Sequence, residues 1–134
     1  MTILVTDQGF TPDDWAGDFA ALDDAHPGVA INFPSSGDPL ELAGRLDDIP
    51  MIRVDFPSFA DGRGFTIARQ LRLMGYTRRL RARGYVIADQ YAMARRAGFD
   101  EVEISNDLAQ RQPEAQWLFR AKWRAHDYQA RLRG

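Results

Sequence analysis

The strongest constraint on the fold is an alternation of short apolar runs with segments of helical periodicity between residues 51 and 104. Glycines close the two helical segments, at Gly75 and Gly98, as is common at helix C-termini. The predicted elements are a strand at 51–56, a helix at 65–74, a strand at 80–82, a helix at 87–97 and a strand at 102–104. Because strands and helices alternate, the strands are expected to pair in parallel through right-handed crossovers. We therefore predict an α/β fold with a small, mainly parallel sheet and flanking helices, or a partial barrel-like βα arrangement.

The first 48 residues differ from this core in their charge. Residues 1–50 hold ten carboxylates and a single base, Arg45, whereas residues 51–134 hold sixteen bases and nine acids. The pattern predicts strands at 3–5 and 29–33, an acidic amphipathic helix that starts at Pro12 and carries Trp15, Phe19 and Leu22, and a short helix at 40–46. A chain of 134 residues fits a single domain, residues 1–134. We expect its acidic part, residues 1–48, to form a regulatory or edge layer on the core at 51–104.

A last, amphipathic helix is predicted at residues 113–133, with Pro113 in its first turn. Its apolar stripe, which includes Trp117, Leu118 and Leu132, predicts packing on the core. Basic residues lie between the apolar ones, so docking of this helix on a partner protein is the alternative.

Composition excludes several functional classes. The chain contains no cysteine, so it supplies no disulfide, no thiolate nucleophile and no cysteine ligand for zinc or an iron–sulfur cluster. His26 and His126 lack a second metal-type ligand at useful spacing and belong to no serine triad, so no metal site is predicted. No stretch approaches the ~20 apolar residues of a membrane span, and the start lacks a signal-peptide pattern. We expect a cytoplasmic protein without a membrane partner. Nucleic-acid binding is not expected, because the net charge is -2 and no basic run is interleaved with aromatics.

The turn after the first core strand carries the clearest sign of a binding site. Asp61, Gly62, Arg63 and Gly64 lie between that strand and the following helix. In α/β proteins ligands gather where strands end and helices begin, because a helix N-terminus offers unpaired N–H groups. The glycines allow the backbone to approach an anion, and the arginine adds a fork of donors. The alternative is structural: Asp61 caps the helix and the glycines only form the turn.

A second group of candidates follows the next strand. Asp89 and Gln90 stand at a predicted helix start, where Asp89 would serve as a base, as a helix cap or as the partner of an arginine such as Arg63 or Arg69. Asp55, at a strand end, is expected to orient an arginine across the same cleft. The candidate catalytic residues are therefore Asp61 and Asp89. The candidates for binding an anion or a partner are Asp55, Gly62, Arg63, Gly64, Arg69, Arg83 and Gln90.

Residues 56–104 resemble a bacterial family of unknown function that is described as an oxidoreductase involved in sulfite reduction. The resemblance is carried by Phe56, Pro57, Phe59, Asp61, Gly62, Arg63, Gly64, Phe65, Ala68, Leu71, Arg72, Gly75, Tyr76, Leu80, Arg81, Ala82, Gly84, Val86, Asp89, Gln90, Arg96, Gly98, Phe99 and Asp100, and Tyr128 and Gln129 resemble the family's usual ending. The chain departs from the family's pattern at Arg78, where glycine is usual, at Tyr85, where a small acidic or amide residue is common, and at Ala97, where cysteine often appears. A mechanism that used that cysteine is not open to this chain.

The resemblance implies a role in assimilatory sulfate reduction. It points to an accessory protein of the sulfite-reducing step that assists sulfite reductase or another enzyme of sulfate assimilation, with residues 61–64 binding an oxyanion or an acidic group of the partner. The sequence contains no recognisable flavin, nicotinamide, haem or iron–sulfur motif, so no cofactor is assigned and a borrowed flavin stays open. The alternative function is a small anion-binding enzyme that uses an Asp/Arg cleft at a strand–helix turn.

Overall fold

A computed structural model of the protein describes residues 2–123, which form a seven-stranded sheet and four α-helices. The strands are β1 (Thr2–Thr6), β2 (Gly9–Pro12), β3 (Phe19–Ala21), β4 (Ala30–Phe33), β5 (Met51–Phe56), β6 (Arg79–Gly84) and β7 (Glu101–Ser105). The helices are α1 (Arg63–Leu73), α2 (Tyr91–Ala97), α3 (Asn106–Arg111) and α4 (Glu114–Arg120).

The sheet is open and mostly parallel. Its order is β2-β1-β7-β6-β5-β4-β3, and its two outer strands do not pair with each other, so the strands do not close into a barrel. Strands β3 to β7 pair in parallel, whereas β1 runs antiparallel to both β7 and β2. The predicted α/β fold with a mainly parallel sheet is confirmed.

One face of the sheet forms the apolar core. Successive strand side chains point to opposite faces, and one set is apolar on every central strand. This set includes Ile31, Phe33, Ile52, Val54, Phe56, Leu80, Ala82, Val102 and Ile104, all at most 2% exposed. Helix α1 covers it with Ile67, Ala68 and Leu71, and α4 contributes Trp117. Burial of these side chains is the main favourable term in folding.

The opposite face carries charged side chains, and we call it the charged face. It is formed by Arg53 and Asp55 of β5, Arg79, Arg81 and Arg83 of β6, and Glu101 and Glu103 of β7. Arg81 has 0% exposure, and both glutamates are also buried. Because an unpaired buried charge is very costly, each of these buried residues needs partners of opposite charge.

Residues 13–18 cross the charged face, and we call this segment the strap. It joins β2 at one edge of the sheet to β3 at the other edge. The Asp13 carboxylate accepts hydrogen bonds from Arg81 at 3.1 and 3.2 Å, and Asp14 accepts one from Arg79 at 2.5 Å. The strap therefore supplies acidic groups to the arginines beneath it.

The predicted acidic helix from Pro12 to Leu22 is wrong. Its place is taken by β2, the strap, β3 and a short 3₁₀ helix at Leu22–Asp24. The Asp13 carboxylate accepts the backbone N–H of Trp15 at 2.9 Å, a local bond that competes with helical hydrogen bonding. Asp13 and Asp14 also form ion pairs with β6, which is distant in sequence, and these tertiary contacts outweigh the local helical spacing.

Other elements differ in extent from those predicted. The helix expected at 40–46 is divided into 3₁₀ helices at Pro39–Leu42 and Leu46–Asp48, with Gly44 at φ +79° between them. The helix expected at 87–97 is a 3₁₀ turn at Ala88–Gln90 followed by α2. Helix α3 was not predicted.

The helix predicted at 113–133 is observed as α4 up to Arg120, and its residues 124–133, with His126, Tyr128 and Gln129, lie outside the described part of the chain. No helix within residues 2–123 combines the length and apolar character that crossing a membrane requires.

Candidate functional site

A cleft of about 500 Å³ lies at the carboxyl ends of the parallel strands β5, β6 and β7. This is the edge at which open α/β sheets bind ligands, and the volume falls within the range of small-molecule sites. We call it the carboxyl-edge cleft. Its lining residues are Thr2, Asp55, Phe56, Pro57, Phe59, Arg83, Gly84, Tyr85, Glu103, Ile104, Ser105, Asp107, Leu108 and Arg111.

One wall of the carboxyl-edge cleft is a row of charges across three strands. Asp55, Arg83 and Glu103 are register neighbours on β5, β6 and β7. The Arg83 guanidinium lies 3.4 Å from Asp55 through Nη1 and 3.4 Å from Glu103 through Nε. Both distances are long for charge-assisted bonds, and 44% of the Arg83 side chain is exposed. Arg83 is therefore oriented by its neighbours and still accessible.

The rim of the cleft is aromatic. Phe59 and Tyr85 form an edge-to-face pair with ring centroids 5.0 Å apart, and they are 44% and 52% exposed. The backbone N–H of Tyr85 donates to the Phe56 carbonyl at 3.0 Å. Gly84 makes this turn with φ +116°, where a Cβ atom would lie 2.6 Å from the same carbonyl oxygen. Two adjacent, partly exposed aromatic rings thus line the same cleft as Arg83, and such rings offer contact area to a ligand or partner.

Helix α3 contributes Asp107, Leu108 and Arg111 to the lining of the cleft. The Ser105 hydroxyl caps α3 by accepting the N–H of Leu108 at 3.2 Å, as Ser typically does at this position. The cap fixes the direction in which the exposed Asp107 and Arg111 project into the cleft. These side chains add one further charge of each sign.

The predicted Asp61–Gly64 turn is closed by its own residues. The Asp61 carboxylate accepts from the Arg63 side chain at 3.0 and 2.7 Å and from the Arg63 backbone N–H at 3.1 Å. Arg63 also donates to the Ser35 hydroxyl at 3.0 Å. The Arg63 side chain, followed by its backbone N–H, lowers the pKa of Asp61 to about 2. Asp61 and Arg63 therefore bind each other, and Arg63 links the turn to the loop after β4.

The two glycines of this turn have different roles. A Cβ atom on Gly62 would meet nothing closer than 3.9 Å, whereas one on Gly64 would lie 2.6 and 2.8 Å from ring carbons of Phe56. Gly64 is a buried residue in the first turn of α1 and packs on that ring, so steric need explains its presence. Access for an anion is not required to explain it.

The remaining predicted residues are dispersed. Asp89 is 75% exposed and pairs with Arg120 of α4 at 3.0 Å, on a surface separate from the carboxyl-edge cleft. Arg69 is exposed on α1 and does not line the cleft. Gln90 accepts the N–H of Ile87 at 3.1 Å. It also donates to the Phe59 carbonyl at 3.4 Å and so contacts the backbone of the aromatic rim. Of the nine candidates, only Asp55 and Arg83 line the carboxyl-edge cleft.

Several cleft residues were missed by the sequence analysis as site candidates: Phe59, Tyr85, Glu103, Ser105, Asp107 and Arg111. A signal for Glu103 exists in the strict alternation of charged and apolar residues along β6 and β7, since period-two alternation places one set on one face. Ser105 stands two residues before Asp107 directly after a strand, which is a helix-start pattern. The aromatic rim depends on two loops meeting in space, and no local pattern indicates it.

No cluster of three or more histidine, aspartate or glutamate side chains placed to hold a metal ion occurs within residues 2–123. The charged side chains of the cleft are two arginines and three carboxylates, and Arg83 contacts two of the carboxylates, Asp55 and Glu103. This arrangement is suited to recognising a charged group of a ligand.

Comparison with known proteins identifies one family. The family model described as "Bacterial protein of unknown function (DUF934)" matches residues 28–134. No curated protein matches the chain. The matched range contains β4 to β7, all four helices and every residue that lines the carboxyl-edge cleft except Thr2. The strap lies outside it.

Proposed function

The chain belongs to the DUF934 family of bacterial proteins of unknown function, and we propose that it is an accessory protein of sulfite reduction that binds an anionic group in the carboxyl-edge cleft. The anionic group is a small oxyanion or an acidic side chain of the assisted enzyme, for which sulfite reductase is the first candidate. Support for the pathway comes from the resemblance of residues 56–104 to the family linked to sulfite reduction.

The observation that carries the binding role is the state of Arg83. Its Nη1 and Nε groups face carboxylates at 3.4 Å, and within residues 2–123 its Nη2 group makes no hydrogen bond. A guanidinium that is held in place yet keeps one edge free can bind an oxyanion without reorganising. The exposed Phe59 and Tyr85 rings beside it offer apolar contact area to the same ligand or partner.

The alternative is a small anion-binding enzyme that uses Asp61, Arg63 and Asp89. It has less support, because Asp61 and Arg63 bind each other and Asp89 pairs with Arg120 elsewhere. An accessory protein also needs no flavin of its own. A flavin spectrum in the purified protein, or flavin released on denaturation, would favour a redox enzyme instead.

The test is growth of a deletion strain on sulfate, sulfite or sulfide as sole sulfur source. We expect no growth on sulfate or sulfite and normal growth on sulfide, because only sulfide enters after the proposed step. The wild-type gene should restore growth, and the Arg83→Gln variant should not. Arg69→Gln is the matched control, since it removes the same charge from an exposed helix position outside the cleft.

Two outcomes would contradict the proposal. Normal growth of the deletion strain on all three sources would remove the link to sulfite reduction. Full complementation by Arg83→Gln would leave the pathway but dismiss the cleft. Circular dichroism of the purified variants should show unchanged folding, and a pull-down of sulfite reductase belongs at low salt, since the screening length is only about 10 Å at ~0.1 M.

A further inference from the structure

The charged face has more arginines than it can neutralise without the strap. Arg53, Arg79, Arg81 and Arg83 meet three acids of the same strands, namely Asp55, Glu101 and Glu103. Glu103 lies near three of the arginines, and Glu101 lies near two. One positive charge therefore stays uncompensated until acidic groups arrive from outside the central strands.

The strap supplies these acidic groups as a pair of adjacent carboxylates. Asp13 meets the buried Arg81 with one oxygen on each terminal nitrogen, at 3.1 and 3.2 Å. Asp14 meets Arg79, and this hydrogen bond is the main reason that the pKa of Asp14 lies below its ordinary value. Carboxylate forks of this kind are how arginine recognises acidic partners in general.

The strap is an imperfect occupant of this surface. Its indole N–H, at Trp15, is buried and has no acceptor within residues 2–123, which is a cost that a well-fitted segment avoids. Its far end is held by β3, an edge strand of only three residues that pairs on one side. The strap also has no regular secondary structure of its own between β2 and β3.

The strap and the face beneath it differ in their relation to the family. The family model covers the strands that carry the arginines and begins at residue 28, after the strap and β3. The charged face is thus part of the family region, and the segment that now covers it is not.

We propose that the charged face is an interaction surface for an acidic segment of a partner protein, and that Asp13 and Asp14 occupy it in the free chain. The partner segment carries adjacent carboxylates that take the places of Asp13 on Arg81 and Asp14 on Arg79. Because the strap is tethered, its effective concentration is on the order of millimolar or more, and a partner binds well only when the strap is weakened or outcompeted. The proposal does not depend on the sulfite role. The charged face shares Asp55, Arg83 and Glu103 with the carboxyl-edge cleft, but Arg79 and Arg81, which meet the partner segment, do not line that cleft.

The test uses a fluorescein-labelled peptide with the strap's own sequence, residues 11–18, as the acidic probe. The full-length double variant D13N/D14N should bind this peptide at least tenfold more tightly than the wild type, because its strap no longer competes. The matched control D23N/D24N removes the same two charges from an exposed turn off the face, and it should bind no better than the wild type. A peptide with asparagine at both positions should not bind to any of the three proteins.

The proposal is overturned if D13N/D14N binds the peptide no better than D23N/D24N, or if it binds the asparagine peptide equally well. It is also overturned if D13N/D14N binds a single-stranded oligothymidylate and not the peptide, because the surface would then take phosphodiesters. If the double variant fails to fold, D14N replaces it, since Asp14 is 68% exposed and Arg79 keeps Glu101. That variant should gain at least threefold over the wild type, and no gain would overturn the proposal.

Discussion

Replacing Gly64 by alanine tests whether this glycine is required for packing or for anion access. The added methyl group would lie 2.6 and 2.8 Å from two ring carbons of Phe56 and closer still to a third. The ring has little freedom to move, because it is 2% exposed and packs edge-on against Phe65 and Phe99 at centroid distances of 5.0 and 5.8 Å. We therefore expect Gly64→Ala to destabilise the fold.

The magnitude follows from two opposing terms. Adding a methyl group to a filled core typically costs about 1–3 kcal/mol, and alanine gains at most about 1 kcal/mol over glycine in a helix. The net loss should be about 1–2 kcal/mol. For a domain of this size, each kcal/mol lowers Tm by about 3–5 °C.

Urea unfolding followed by circular dichroism measures this loss. Gly62→Ala is the matched control, since its methyl group would meet nothing closer than 3.9 Å, and its stability should stay within ~0.5 kcal/mol of the wild type. Equal stability of the two alanine variants would refute the packing argument. A loss of anion binding by Gly64→Ala without loss of stability would return the Asp61–Gly64 turn to the list of binding sites.

Two further predictions concern other hydrogen bonds. An NMR titration should give the Asp61 carboxyl a pKa of about 2, and Arg63→Gln should return this pKa towards 3.8. Because the pKa of Asp61 is depressed in the folded state, the stabilisation that the Asp61–Arg63 pair gives the fold is complete above pH ~4. It is lost as the pH falls towards ~2. A pKa that does not move in Arg63→Gln would contradict the assigned cause. The Tyr76 hydroxyl lies 3.0 Å from the Ile49 carbonyl in a buried site, so Tyr76→Phe should lower the free energy of unfolding by about 1–2 kcal/mol, measured by urea unfolding; an unchanged value would show that the bond contributes nothing.

The core of the fold was predictable because local and tertiary preferences agree there. Strands β5 and β7 carry apolar, mostly β-branched residues on one side. Gly75 and Gly98, which were predicted to close the two helices, follow α1 and α2 with φ values of +102° and +121°. Where local propensity agrees with tertiary packing, secondary structure can be predicted from the sequence. In the first 24 residues they disagree, since helical spacing from Trp15 to Leu22 is overridden by ion pairs that Asp13 and Asp14 make with β6.

The candidate site was only partly predictable, because a cleft depends on which strands are neighbours. Asp55 was chosen for its position at a strand end and Arg83 as a candidate for binding an anion or a partner, and the parallel register of β5 and β6 sets them side by side. Asp61 was chosen from the turn before a predicted helix and Asp89 from another predicted helix start, yet the two carboxylates pair with different arginines, Arg63 and Arg120. The ends of the predicted strands indicate which edge of the sheet binds ligands. The direction of each loop at that edge depends on ion pairs that the sequence pattern does not indicate.

The order of the strands also makes some pairings depend on others. Strand β7 is the last in sequence but lies inside the sheet, between β6 and β1. The hairpin of β1 and β2 joins the sheet only through β7. The pairing of β1 with β7 spans about 100 residues, and long-range contacts of this kind slow folding. The edge formed by β3 can pair through β4, β5 and β6 alone, whereas the edge formed by β1 and β2 depends on β7. The strap joins these two edges, so its two ends are anchored only when both parts of the sheet have formed.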